Sequence, residues 1–199
     1  MSPFSAHQLC LTFGVHYTQL TRCAHCLGEF KELSSVVANQ RQQVKIVETG
    51  ETIQMNAPDQ VLVSGILQNG AVASVHLKGG TVSGTGFLFE IHGTEGALAI
   101  VPADPSQTTY IQVSEFTVRG AQVGKPLADL SIPESYRWVP SSVPVGLPFN
   151  VAQLYMRMAE GIREGKSVSP DFDVAVNRHH LLDAIQKASD TGSRQILSV

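Results

Sequence analysis

The sequence predicts an α+β fold in which an open, mostly antiparallel β-sheet carries helices packed on one face. A helix-like segment comes first, a series of alternating strand-like segments follows, and two helical segments end the chain. Strand and helix do not alternate as in a parallel nucleotide-binding sheet, and no Gly-x-Gly-x-x-Gly turn opens a helix. The 199 residues suffice for one continuous core, so we expect a single domain over 1–199.

The first predicted element is a short helix over 15–27, where apolar residues recur at helical spacing and Gly28 follows as a C-terminal cap. The clearest strand signal is a hairpin over 60–78, because Asn69-Gly70 tolerates the positive φ angles of a tight turn. Further alternating runs predict strands at 30–39, 43–47, 87–92, 97–101 and 110–118.

Five prolines and the single tryptophan, Trp138, predict a long irregular loop over 126–148. The C-terminal helices are expected over 149–192. The first has an apolar stripe at helical spacing, formed by Val151, Leu154, Tyr155, Met158 and Ile162. The second is expected over 172–189, with Pro170 near its start and Gly192 beyond its end.

Charge and hydropathy argue against several partner classes. The formal net charge of −3 comes without a block of Lys and Arg, so we expect no nucleic-acid partner and no anionic membrane surface. No run reaches the ~18 apolar residues of a membrane span, and the N-terminus does not resemble a secretory signal. A cytoplasmic location is therefore expected, with Cys10, Cys23 and Cys26 as reduced thiols.

The Cys23-Ala24-His25-Cys26 segment has a spacing at which two thiolates can share a metal ion or form a disulfide. However, a second Cys/His pair with usable spacing is missing, and cysteine is commonly a buried residue. We therefore interpret these cysteines as structural and expect no bound metal ion.

His16 and Tyr17 are the best candidates for proton transfer, because imidazole titrates near neutral pH and tyrosine can polarise a carbonyl. The alternative is a structural histidine at the start of a helix. His76 and His92 lie on predicted strands, where either could line a pocket or face water.

The aromatic residues of the proline-rich loop have two interpretations. Tyr136, Trp138 and Phe149 could close over a ligand as a lid, or they could anchor the loop to the core. We include Tyr136 and Trp138 among the expected substrate-binding residues.

Several segments, taken in order, resemble the C-terminal domain of the glucose-fructose oxidoreductase / inositol dehydrogenase (Gfo/Idh/MocA) family, and most closely its fungal, galactose-repressor-like branch. The resemblance covers nearly the whole chain from about Thr12. Its segments are Thr12–His16, Leu27–Phe30, Pro58–Val61 through Val75–Gly80, Phe89–Gly96, and Pro170–Asp173 through His180–Ile185 with Thr191-Gly192.

This resemblance implies an open sheet of the type found in the C-terminal domain of dihydrodipicolinate reductase, used for substrate contacts and for pairing with another subunit. Full-length members carry an N-terminal nucleotide-binding domain that has no counterpart in this chain, so we expect no bound cofactor. The family's catalytic histidine matches His16. Two family aspartates are replaced by Thr12 and Gln19, which are expected substrate contacts.

Three hypotheses for function follow. The first is a cofactor-independent cyclase, isomerase or epimerase that acts on an apolar fungal secondary metabolite, with His16 and Tyr17 as acid/base or hydrogen-bonding groups. The second is a non-enzymatic regulator or binding module of the galactose-repressor type, and the third is a truncated oxidoreductase remnant. For each we expect homo-oligomers that form through the open sheet, and the first also requires a small-molecule substrate.

Overall fold

The computed structural model describes residues 20, 23–79, 87–104, 114–168 and 170–197. Contacts within the chain define two compact units, Met1–Gly80 with Pro170–Val199 and Thr81–Ser169. Each unit is described by itself, and the single-domain expectation stays a prediction. The strands are β1 (Phe30–Ala38), β2 (Gln43–Lys45), β3 (Thr52–Gln54), β4 (Gln60–Leu67), β5 (Val72–Lys78), β6 (Phe89–His92), β7 (Gly96–Pro102), β8 (Phe116–Gln122), β9 (Ala128–Leu130) and β10 (Gln195–Ile196); the helices are α1 (Leu147–Glu164) and α2 (Phe172–Thr191), and Glu134–Tyr136 forms a 3₁₀ turn.

The first unit opens with a helical segment over 23–27 that ends at Gly28. This glycine has a φ of 95°, and its N–H donates to the Ala24 carbonyl at 2.8 Å. A positive φ at the C-terminal end is the conformation that favours glycine. The C-terminal part of the predicted helix is thus confirmed, whereas 15–19 lie outside the described residues.

The sheet of the first unit has the order β10-β1-β4-β5, and every neighbouring pair is antiparallel. The predicted hairpin is confirmed. Gly70 adopts a φ of 89° in its turn, and Asn69 Oδ1 accepts from Ala71 N at 3.0 Å. Strands β2 and β3 form a separate two-stranded ribbon, and a turn at 47–49 lies between them.

Helix α2 covers one face of this sheet. It begins at Asp171, whose Oδ1 accepts from Val174 N at 3.0 Å, and its C-terminal cap is Gly192. Two serines fix the helix to β1: Ser35 Oγ donates to the Ile185 carbonyl, and Ser189 Oγ accepts from Val37 N at 2.9 Å. The core between helix and sheet comprises Leu20, Phe30, Leu33, Val61, Val63, Leu67, Leu77, Leu181, Leu182, Ile185 and Ala188.

A buried ion pair lies at one end of this core. Arg178 of α2 is 2% exposed, and its Nη2 donates to Glu29 Oε1. Among the described residues, Nε and Nη1 of this arginine have no hydrogen-bond partner. Among the described residues, Glu29 therefore provides the negative charge that balances the nearly inaccessible Arg178 guanidinium.

The sheet of the second unit has the order β6-β7-β8-β9, again antiparallel throughout. Gly120 leaves space that the side chains of Leu98 and Leu130 fill on one face. On the opposite face, Arg119 pairs with Asp129 at 3.1 Å. Together with α2 on the first sheet, these antiparallel strands confirm the predicted α+β class.

Helix α1 ends in a tight C-terminal turn. Gly165 is left-handed, with a φ of 65°, and Lys166 N donates to the Gly161 carbonyl at 2.9 Å. A Cβ at Gly161 would overlap the side chain of Val168, which folds back over this turn. The predicted apolar stripe lies on this helix, but all five of its side chains are exposed: Val151, Leu154, Tyr155, Met158 and Ile162.

Two boundaries differ from the sequence-based expectation. The loop expected over 126–148 contains β9 and the 3₁₀ turn, because Ala128–Leu130 pairs with β8. The strand expected over 110–118 is β8, which runs from Phe116 to Gln122, whereas 110–113 lie outside the described residues. Among the described helices, none combines the length and apolar character needed to cross a bilayer; the cytoplasmic location stays a prediction.

Candidate functional site

The structure describes four of the eight sequence-predicted site residues. Thr12, His16, Tyr17 and Gln19 lie outside the described residues. The proton-transfer roles assigned to His16 and Tyr17 therefore stay predictions. The other four are His76, in the first unit, and His92, Tyr136 and Trp138, in the second.

The structure brings Tyr136 and Trp138 together through one side chain of α1. The Gln153 amide donates from Nε2 to the Tyr136 carbonyl at 2.7 Å, and its Oε1 accepts from Trp138 N at 2.7 Å. Both hydrogen bonds go to backbone groups of the loop, so they fix the path of the chain and leave the two aromatic side chains free to contact other groups.

Two arginines complete this loop arrangement. The Arg157 guanidinium lies over the Trp138 ring, 4.7 Å from its centroid, and Arg137 lies 4.9 Å from the centroid of Phe149. Arg137 Nη2 also donates to the carbonyls of Pro140 and Val143, at 3.1 and 3.0 Å. These contacts close the loop on itself. We call residues 136–143, with Gln153 and Arg157, the tryptophan loop.

The tryptophan loop presents its aromatic side chains at the surface. Tyr136 is 61% exposed and Trp138 is 44% exposed, whereas the neighbouring Val139 is buried. Val139 is therefore the hydrophobic anchor of this segment. The Trp138 ring packs on Arg157 and is partly exposed, so both interpretations of this residue, as a lid and as an anchor of the loop, stay predictions.

The two histidines lie on different sheets. His76, on edge strand β5, has its Nε2 3.1 Å from Gln60 Oε1. His92 is the last residue of β6 and is exposed. Both positions agree with strand side chains that face water, one of the two interpretations left open by the sequence.

His76 belongs to a face that sequence reasoning did not single out, the side of the first sheet away from α2. Three register rows cross it: Val36 with Leu62 and His76, Ser34 with Ser64 and Ser74, and Glu32 with Ile66 and Val72. Val36, Leu62 and Val72 are exposed. We call these nine residues the outer sheet face. Apolar residues occur on both faces of β4, and this pattern in the sequence could have predicted the outer sheet face.

The two described cysteines, Cys23 and Cys26, lie in different environments. Cys23 is half-buried in the helical segment, and Cys26 is exposed. Burial raises the pKa of the Cys23 thiol, and the neighbouring Cys26 raises it further. A raised pKa reduces the thiolate fraction that metal binding and redox exchange require. Within the described ranges, no group of three or more His, Cys, Asp or Glu side chains could hold a metal ion.

The tryptophan loop can be tested with Trp138, the only tryptophan in the sequence. Replacing Gln153 with alanine removes both backbone contacts, so we expect red-shifted emission, stronger iodide quenching and a loss of about 1–2 kcal/mol in the free energy of unfolding. Arg163→Ala, on the same helix, is the control and should leave the emission unchanged. Identical fluorescence in Gln153→Ala and the unmodified chain would show that Gln153 does not hold the loop in place.

Comparison with known proteins gives a consistent result. Residues 6–101 match the family model of the Gal80p C-terminal domain. No curated protein matches the sequence significantly. The super-repressor mutant of Gal80p from Saccharomyces cerevisiae has a similar structure, with a TM-score of 0.76 and 16% sequence identity over 94% of this chain and 50% of that one.

Two oxidoreductases show the same fold. Levoglucosan dehydrogenase in its apo form has a TM-score of 0.72 and 19% identity, over 92% of this chain and 49% of the enzyme. Aldose-aldose oxidoreductase from Caulobacter crescentus has a TM-score of 0.61 and 19% identity, over 92% of this chain and 46% of the enzyme. The chain spans about half the length of these solved proteins. Residues 6–101, just under half of the chain, are therefore similar to the Gal80p C-terminal domain, and the fold is shared with these oxidoreductases.

Proposed function

We propose that this chain is a non-catalytic binding domain that pairs with a second copy of itself through the outer sheet face. The observation that carries the proposal is the exposure of apolar side chains on that face, among them Val72 at 85%. Exposed apolar side chains that share one face of a sheet favour association. The match of residues 6–101 to the Gal80p C-terminal domain supports a regulatory binding role, since one similar solved structure is that of a super-repressor mutant of Gal80p.

The shape of the outer sheet face suits pairing of two sheets. The central row consists of Ser34, Ser64 and Ser74, so short side chains separate two rows that contain larger apolar ones. Short residues allow two sheets to approach closely, and hydroxyl groups remain able to hydrogen-bond across the interface. A two-fold axis through this row would place each apolar row against its counterpart in the second copy.

The size of the face sets the expected strength. Its three strands, ~4.8 Å apart and about 25 Å long, give a plane of roughly 360 Å², below the ~800 Å² per partner of a standard interface. A weak, concentration-dependent dimer is therefore expected from this face alone.

Replacing Leu62 with glutamate tests the proposal. The new carboxylate would be desolvated within the interface, on the middle strand of the face, so we expect the dissociation constant of the dimer to rise by about 100-fold. Sedimentation velocity over a concentration series measures this change. Val47→Glu is the matched control, because Val47 is a highly exposed apolar residue outside the face. An unmodified chain that stays monomeric, or a Leu62→Glu chain that dimerises normally, would refute self-association.

The expected cofactor-independent conversion of a fungal metabolite is not part of this proposal. It depends on His16 and Tyr17, for which no described contact gives support. The tryptophan loop offers accessible aromatic surface that could contact a small molecule, but no described acid or base lies against the Trp138 ring; the side chain there is Arg157. Binding is therefore the function that the described residues support best.

A further inference from the structure

One row of residues at the end of the first sheet brings two oxygen-bearing side chains together. Ala38 pairs with Gln60, and Gln60 pairs with Lys78. The next positions in register therefore set Asn39 opposite Asp59 and Asp59 opposite Gly79. Backbone hydrogen bonds maintain this alignment, from Asp59 N to the Ala38 carbonyl at 3.0 Å and from Gly79 N to the Asp59 carbonyl at 2.6 Å.

This row lies on the core-facing side of the sheet. Side chains two residues apart on a strand point to the same face, so Asp59 shares a face with the buried Val61. The last turn of α2 reaches the same end of β1, where Ser189 Oγ accepts from Val37 N. Gly79 adds no side chain to the row, and a Cβ there would lie 3.4 Å from Asp59 Cα and Cβ, so the two strands approach closely at this position.

Both polar side chains in the row have a buried oxygen without a partner. Asp59 is 8% exposed; its Oδ1 accepts from Gln40 N at 2.8 Å, whereas Oδ2 has no hydrogen-bond partner among the described residues. Asn39 Nδ2 donates to the Met55 carbonyl at 2.5 Å, which fixes the orientation of the amide. Asn39 Oδ1 is consequently the other buried acceptor, and it too has no partner in the described part of the chain.

The charge around these two oxygens determines which kind of ligand can satisfy them. Two acceptors cannot satisfy each other, and an ionised carboxylate buried with a single N–H donor costs several kcal/mol. The ion pairs between described residues do not include Asp59. The nearby last turn of α2 adds the negative end of a helix dipole and carries no basic side chain. A cation satisfies both oxygens and balances the charge.

We propose that Asn39 Oδ1 and Asp59 Oδ2 are ligands of a hard, oxygen-preferring cation, for which Ca²⁺ is the probe. Carboxylate and amide oxygens are the side-chain ligands that Ca²⁺ prefers, and backbone carbonyls and water complete such shells. With one carboxylate in the set, we expect a dissociation constant of about 1 mM, the weak end of the calcium range. The site is independent of the proposed self-association.

Thermal unfolding of the full chain tests this site. After treatment with a chelator, titration with CaCl₂ should raise the melting temperature by about 3–6 °C at ten times the dissociation constant, relative to choline chloride of equal ionic strength. Asp59→Asn should abolish the increase, whereas Asp129→Asn, which changes an exposed carboxylate in the second unit, should retain it. No increase in the unmodified chain, or a full increase in Asp59→Asn, would overturn the proposal.

A gain-of-affinity variant separates a cation site from a site that holds only water. Asn39→Asp adds a second carboxylate of nearly the same shape, so calcium binding measured by equilibrium dialysis should tighten by about 10-fold. A water site predicts the opposite: two facing carboxylates would repel each other, and calcium would not restore stability. Destabilisation of Asn39→Asp without rescue by calcium would therefore refute the proposal, even if Asp59→Asn fails to fold.

Discussion

Replacing Glu29 with alanine should lower the free energy of unfolding by about 3 kcal/mol, because it leaves the buried Arg178 without its described counter-charge. The arginine side chain is 3% exposed and two of its nitrogens already have no hydrogen-bond partner among the described residues. Removing Glu29 leaves the third nitrogen, Nη2, without its hydrogen-bond partner as well. Partial exposure of the glutamate keeps the expected loss at the lower end of the range for buried pairs.

Urea-induced unfolding measures this loss, and two further variants isolate its cause. Glu32→Ala removes the carboxylate of the more exposed Arg194–Glu32 pair in the same unit and should cost less than ~1 kcal/mol. The double variant Glu29→Leu with Arg178→Met replaces the pair by apolar groups and should recover most of the stability. Equal losses in Glu29→Ala and Glu32→Ala would contradict the importance of the buried charge.

Local signals predicted much of the fold. The turn at Asn69-Gly70 and the cap at Gly28 depend on backbone conformations that neighbouring residues fix, and both occur where the sequence placed them. The Asp171 cap and Gly192 likewise bound α2 within a few residues of its expected ends. Such features need no knowledge of distant contacts.

Contacts between distant segments could not be predicted in the same way. Arg178 and Glu29 are separated by 149 positions, and nothing near either residue indicates the other. Helical periodicity correctly grouped the apolar stripe of α1, but it cannot state what covers a stripe, and those side chains are exposed. The role of Gln153 was missed because glutamine in a helix is ordinarily a surface residue.

The candidate site shows the same division. Sequence reasoning selected Tyr136 and Trp138 from composition alone, and the structure joins them through Gln153. The outer sheet face was expected only as a general property of an open sheet, since its rows depend on the register of three strands. The pair formed by Asn39 and Asp59 depends on the same register and was not anticipated.

Gly65 is the residue on which that register most depends, and Gly65→Ala should lower the free energy of unfolding by about 3 kcal/mol or more. A Cβ at this position would overlap the carbonyl oxygen of Glu32 and lie 3.0 Å from the Phe30 ring. The pairing of β1 with β4 is irregular between Phe30 and Glu32, and this irregularity brings the Glu32 backbone against the glycine. Backbone cannot yield as a flexible side chain can, so β1 and β4 must separate.

Separation of β1 from β4 would also displace Leu62 and Ser64, so the Gly65→Ala chain should lose dimerisation together with stability, whereas Leu62→Glu should lose dimerisation alone. Thermal melting and sedimentation on the same samples distinguish the two outcomes. Gly93→Ala is the matched control: its φ is not positive, an added Cβ there would be 3.7 Å from its nearest neighbour, and the expected change is within ~0.5 kcal/mol. A Gly65→Ala chain as stable as Gly93→Ala would show that β1 and β4 do not approach closely. The register that defines the outer sheet face would then be wrong as well.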